Sequence, residues 1–194
     1  LEFNVCSSDL AAAELAAEWH DGTYRKGRWR DPAFAPPDER EIGIPMASHV
    51  TNVALLVMRE GWDDETVAAA FLHDVLEDAN QWGGEMAFED LSERMGHTVA
   101  ELVHAVTEDK WGVDGSPNDW ETRKRGYLDR LARAPDEAVA ISLADKLHNL
   151  WTVNRSMARG IDVFRRAPGR RPLSAGSARQ SWFYGHVLEI SNSR

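Results

Sequence analysis

A chain of 194 residues with 43% hydrophobic and 28% charged residues has the make-up of one folded domain, since about 150 residues is a usual domain size. Disorder throughout is excluded, and a membrane-spanning protein is not expected, because even the most apolar run, Val67 to Val75, falls short of the roughly 18 uncharged residues a bilayer helix needs. The net charge of −10 repels polyanions, so nucleic acid is not expected as a partner, while a small phosphorylated ligand held through a metal stays open.

Residues 1 to 10 stand apart. Val5-Cys6-Ser7-Ser8-Asp9-Leu10 is what the end of a common sequencing adapter would encode, so this segment is expected to be artefactual or disordered, ahead of a single domain over residues 11–194. It holds the one cysteine, Cys6, so no disulfide framework is expected and nothing argues for an oxidising compartment; the expected location is the cytoplasm.

Apolar spacing is helical nearly everywhere, which predicts an all-α bundle. The Ala-rich stretch Asp9 to His20 favours a first helix. Gly22 to Pro45, broken by Gly27, Pro32, Pro36, Pro37 and Gly43, reads as a long loop and a candidate lid. Val50, Val53, Ala54 and Val57 form the buried stripe of a helix over Met46 to Glu60, which Gly61 ends. Asp63 or Asp64 can cap a third helix reaching to about Asn80, with Val67, Ala70, Phe71 and Val75 turned inward. Two shorter helices, Phe88 to Met95 and Thr98 to Thr107, flank Gly96. Asp119 can cap a helix ending near Ala134. Asp136 to Met157 is a long helix with Val139, Leu143, Leu147 and Leu150 on one side. Gly160 to Gly176 reads as a loop, with Arg165, Arg166, Arg170 and Arg171 solvated, before a closing helix from about Ala178 to Ile190.

The third helix carries the chemistry. In Phe71-Leu72-His73-Asp74-Val75-Leu76-Glu77-Asp78, four titratable residues interrupt an apolar stretch, and the four-residue spacing of His73 to Glu77 and of Asp74 to Asp78 groups them on one surface. An imidazole and a carboxylate side by side can share a divalent cation, and the two later acids could polarise or deprotonate a water on it. His49, just after Ile44-Pro45, and Asp145, an acid within the apolar Ser142 to Leu150 face, complete a mixed nitrogen and oxygen ligand set suited to Mn²⁺, Fe²⁺ or Zn²⁺. Asn149 lies one turn past Asp145. His97, His104 and His186 are read as core histidines without a role, His148 is assigned none, and Trp182 and Tyr184 are read as packing for the last helix.

In this order, His49, His73-Asp74 and Asp145 resemble the HD phosphohydrolases. Within them, His73-Asp74-Val75-Leu76-Glu77-Asp78 and Ala144-Asp145-Lys146-Leu147-His148-Asn149-Leu150 resemble the hydrolase domain of the RelA/SpoT alarmone enzymes and their small stand-alone relatives of the Mesh1 type. Arg25-Lys26 and Thr107-Glu108-Asp109-Lys110 add to the likeness, which runs from about His20 to Asn154. The resemblance implies that His49, His73, Asp74 and Asp145 hold one ion, Mn²⁺ by expectation. It further implies that Glu77 and Asp78 orient and activate water, and that Arg25, Lys26 and Asn149 contact the nucleotide. The implied reaction takes the 3′-pyrophosphate from (p)ppGpp, leaving GDP or GTP. The segment between Lys26 and Ile44 is longer and more charged than the family's turn, which keeps open a phosphohydrolase of another nucleotide, such as an adenosine alarmone or a nucleoside phosphate; a third reading, a non-catalytic nucleotide-binding domain, is opposed by the intact ligand set and the Glu77-Asp78 pair. The sequence sets no oligomeric state.

Overall fold

The computed structural model describes residues 8–29, 41–165, 173 and 175–194, and the side chains of 25–29 and 41–44 lie outside that description. The elements in chain order are α1 (Ser8–Trp19), β1 (Tyr24–Trp29), β2 (Glu41–Pro45), α2 (Met46–Arg59), α3 (Asp64–Leu72), α4 (Phe88–Met95), α5 (His97–Ala105), α6 (Trp120–Leu131), α7 (Asp136–Met157) and α8 (Ser177–Asn192). Helix α1 thus takes in the last three residues of the segment set apart above, and residues 1–7 fall outside the described part. No described helix is long and apolar enough to cross a membrane.

Helix α3 is the axis of the bundle. Thr66, Val67, Ala68, Ala69, Ala70 and Leu72 are all buried, so nearly its whole circumference is covered, as expected of a helix apolar all round. Small side chains on both partners, Ala12 and Ala16 on α1 and the Ala68 to Ala70 run on α3, let these two helices pack closely, while α2, α5 and α7 cover the remaining sides. The long side chains Leu91, Tyr127, Leu131, Ile141 and Phe183 extend the same core outward to α4, α6, α7 and α8. Between α2 and α3 the chain turns at Gly61, whose φ of 83° lies in the left-handed region that side chains with a Cβ avoid.

Of the two acids that could cap α3, Asp63 does so: its Oδ1 accepts from the Thr66 backbone N–H at 2.9 Å and from the Thr66 hydroxyl at 2.6 Å. These hydrogen bonds, the hydroxyl's first, hold the Asp63 carboxyl below its ordinary pKa. Asp63→Ala should cost about 1 kcal/mol of unfolding free energy at pH 7 in a urea titration, and Asp63→Asn much less. Because the folded carboxyl titrates low, the deficit of the Ala variant should shrink as pH falls through the acid range, where the wild type loses the same contribution.

Three expectations change. The span Gly22 to Pro45 is not all loop: β1 and β2 pair antiparallel, from Tyr24 opposite Pro45 to Trp29 opposite Glu41, with a bulge between Arg25 and Gly27. Met46 N–H continues the pairing to the Thr23 carbonyl at 3.0 Å, so the hairpin runs directly into α2. Gly27 and Gly43 face each other across the ladder, so residues that read as breakers singly are cross-strand partners. The proposed lid tip, 30–40, lies outside the described residues.

Second, α3 stops at Leu72 rather than near Asn80, and His73 to Asp78 continue as turns. His73 Nδ1 sits 2.8 Å from the Ala70 carbonyl oxygen, competing for the acceptor that the next backbone N–H of a helix would use. Third, Leu147 and Leu150 of the expected α7 stripe are 54% and 39% exposed. Val139 of that stripe is buried, and the inward face of α7 also carries Ala138, Ile141, Ser142, Asp145, His148 and Asn149, so polar residues occupy part of the face that an apolar pattern would mark.

Candidate functional site

Four side chains from three helical segments meet beside the end of α3. His49 comes from the first turn of α2, His73 and Asp74 from the turns after α3, and Asp145 from the middle of α7. His49 Nε2 lies 3.2 Å from His73 Nε2, 3.6 Å from Asp74 Oδ2 and 3.1 Å from Asp145 Oδ1; His73 Nε2 lies 3.1 Å from Asp74 Oδ2 and 3.8 Å from Asp145 Oδ1. Both imidazoles are buried, at 2% and 4% exposure.

This set fits a divalent metal. Ligands about 2.1 Å from a common ion stand about 3.0–3.4 Å apart in octahedral or tetrahedral arrangements, close to the separations found. His73, Nδ1 toward the Ala70 carbonyl, must donate there, because a carbonyl only accepts; its Nε2 then points its lone pair at the other donors. The charge also fits. Burial alone would lower the His73 pKa, but the carboxylates of Asp74 and Asp145 outweigh it and raise it to about 9. Burial likewise opposes the charged form of Asp145, yet Lys146, His49 and His73 hold its carboxyl well below the usual range. The two carboxylates thus favour positive charge at this point, carried by a proton on His73 Nε2 where no ion takes its place. Among the described residues, His49, His73 and Asp74 form a His/Asp group whose ligand atoms all lie within 4.8 Å of one another.

The remaining expected residues distribute around this centre. Glu77 and Asp78 follow on the same turns. Lys110, just past α5, reaches both carboxylates, at 3.9 Å for Glu77 and 3.1 Å for Asp78, and also donates to the Glu77 carbonyl oxygen. Trp19 of α1 donates to the Asp78 carbonyl at 2.8 Å, tying that turn to the bundle. Burial pushes the Glu77 carboxyl up to about 7, helped by the negative charges of Glu108, Asp74 and Asp78 and opposed by Lys110. Asn149 is buried and donates to Asp145 Oδ1 at 2.5 Å, so it holds the very oxygen that faces His49. Arg25 and Lys26 fall in β1, where the expected nucleotide contacts of their side chains lie outside the described part. Of the arginine run, Arg165 is exposed, while 166, 170 and 171 lie outside the described residues. His97 and His104 are exposed surface residues rather than core ones.

A cleft of about 230 Å³ opens beside the centre, lined among others by His73, Asp74, Glu77, Lys124, Lys146 and Tyr184. Cations paired with carboxylates stand in its wall. Lys124 of α6 pairs with Glu108 and sits 4.4 Å over the Phe183 ring, Arg123 lies 3.4 Å from the same carboxylate, and Lys146 of α7 is 2.5 Å from Asp145 and 4.8 Å over the Tyr127 ring. Sequence reasoning passed over Glu108, Arg123, Lys124 and Lys146 as site residues; the Arg123-Lys124-Arg125 run was the available signal, but a charge run on a helix reads first as a solvated face. Tyr184 lines the cleft, whereas Trp182 packs on Trp120 with ring centroids 6.2 Å apart.

Residues 28–166, which carry all four converging side chains, match the HD domain family. The chain belongs to the HD domain family. This HD domain is 34% identical over 160 residues to the guanosine-3′,5′-bis(diphosphate) 3′-pyrophosphohydrolase MESH1 of Danio rerio, spanning 80% of the chain and 76% of that relative. It is 36% identical over 116 residues to the guanosine-3′,5′-bis(diphosphate) 3′-pyrophosphohydrolase of Aquifex aeolicus, of whose length it spans 15%. Among solved structures, it is similar to that of a metazoan ortholog of SpoT that hydrolyses ppGpp, with a TM-score of 0.65 and 26% identity over 95% of this chain and 85% of that one.

Proposed function

We propose that this HD domain hydrolyses the 3′-pyrophosphate from guanosine-3′,5′-bis(diphosphate) and its triphosphate analogue, releasing GDP or GTP and pyrophosphate. The observation that carries this reading is the meeting of two imidazoles and two carboxylates beside a cleft lined by Glu77, Arg123, Lys124 and Lys146. The names of the MESH1 relatives and of the SpoT ortholog supply the substrate class.

In this reading His49, His73, Asp74 and Asp145 hold one divalent ion, Mn²⁺ by preference. Such an ion, when bound, supplies Lewis-acid polarisation of a phosphate oxygen and acidifies water. The chain's own groups do the rest. Lys124, Arg123 and Lys146 receive the anionic phosphates along the cleft wall, where burial already lowers the Lys124 pKa against the pull of Glu108. Glu77 takes a proton from the attacking water at its carboxylate as the new phosphorus–oxygen bond forms; the bond to the ribose 3′ oxygen breaks, that oxygen takes up a proton from solvent, and Glu77 returns its own to solvent. Asp78, anchored by Lys110, helps align the water, and Asn149 keeps Asp145 turned toward His49. Arg25 and Lys26 are proposed nucleotide contacts on the hairpin.

The test is a panel of ppGpp, pppGpp, the adenosine counterpart and simple nucleoside phosphates, incubated with purified protein and Mn²⁺ and resolved as phosphate against pyrophosphate. Pyrophosphate from the guanosine alarmones is expected; release from another substrate alone, or no turnover, overturns the assignment. Lys124→Met keeps the stem against Phe183 but removes the charge, and should raise KM for ppGpp by about tenfold or more with little change in kcat.

A further inference from the structure

We infer that His148 is a positioning residue for the metal centre, fixing His49 in the tautomer that can bind an ion. The inference rests on the reading that the His49, His73, Asp74 and Asp145 cluster binds a metal. His148 lies on α7 one turn past Asp145, is 6% exposed, and places its Nδ1 2.7 Å from His49 Nδ1. At that distance the two nitrogens share one hydrogen, so one donates and the other accepts. The opposite nitrogen of His49, Nε2, faces His73, Asp74 and Asp145. For Nε2 to offer its lone pair there, the ring hydrogen must sit on Nδ1, and His148 Nδ1 must accept it. His73 is set in the same way by the Ala70 carbonyl. The two metal-facing imidazoles therefore have matched backing acceptors, one from the backbone and one from a side chain. The second is a histidine where a carboxylate or carbonyl would commonly stand, and Trp151, one turn on, lies beside its ring at a centroid distance of 5.8 Å.

Binding of Mn²⁺ to metal-free protein, followed by the electron paramagnetic resonance signal of unbound Mn²⁺, tests this apart from turnover. His148→Phe keeps a ring but has no acceptor, and should weaken binding by about tenfold to a hundredfold. His148→Asn, whose amide oxygen can accept near the Nδ1 position, should bind within about threefold of wild type. The metal-free melting temperatures are measured alongside; if Phe lowers its own, His148→Ala replaces it and the ratio of Asn to Ala affinity decides. Wild-type affinity in the Phe or Ala variant, or an Asn variant that binds no better than they do, overturns the role of His148. Failure of the wild type to bind Mn²⁺ overturns the metal reading itself, and loss of binding in Asp74→Asn with none in His148→Phe retains that reading and removes this one.

Discussion

Asp74→Asn should abolish pyrophosphate release, with a fall of about three orders of magnitude or more in kcat at saturating Mn²⁺. Asp74 Oδ2 is 3.1 Å from His73 Nε2 and 3.6 Å from His49 Nε2, so the change removes a negative charge at the point where the two imidazoles meet. A bound ion contributes several kcal/mol of charge stabilisation to the transition state, and about 1.4 kcal/mol corresponds to a factor of ten in rate. The swap conserves shape, and circular dichroism should show the helical content unchanged. Turnover near the wild-type level in a folded Asp74→Asn protein would remove the proposed mechanism.

The second large effect is expected at Glu77. Glu77→Gln preserves volume but cannot take up a proton, and kcat should drop by about 10²–10⁴-fold while Mn²⁺ affinity stays close to wild type, because Glu77 stands outside the four converging donors. The pH dependence carries a sign. Burial, and then the charges of Glu108, Asp74 and Asp78, raise the folded pKa of Glu77 to about 7, so below that pH the group is protonated and cannot act as a base. The wild-type kcat/KM should therefore climb through pH 7 and level off above it, and the Gln variant should lack that limb. A wild-type profile flat from pH 6 to 8 (about one unit either side of that midpoint) would take the base role from Glu77.

Much of this was legible in the sequence because burial makes polar residues conspicuous. His73, Asp74 and Asp145 interrupt apolar stretches, and unpaired burial of such groups is costly enough that a shared purpose is the economical reading. The bounds of α4 and α7 followed from strong local signals, and Asp119 caps α6 as its position suggested, accepting from the Thr122 N–H at 2.7 Å. What was not legible depends on partners distant in sequence. The hairpin needs β1 and β2 to find each other across eleven intervening residues, and neither strand alternates clearly enough to announce itself. The early end of α3 coincides with a side chain–backbone hydrogen bond at His73 that no spacing pattern announces. The places of Lys124 and Lys146 beside the cleft depend on Phe183, Tyr127 and Glu108, and no local pattern contains that information.

The two sides of the cleft differ in how much freedom they have to change. The side that carries His73, Asp74 and Asp145 is borne by α7 and the tail of a helix packed on every side, where an added methyl group at the fully buried Ala68 or Ala69 would crowd its neighbours. Its opposite wall is hung on α6 and α8 at the rim of the bundle, beside Lys124 and Tyr184. Anyone wishing to retool the domain for a different phosphate ester should randomise the rim and leave the axle untouched, since diversity at the first changes what is gripped while diversity at the second dismantles the blade.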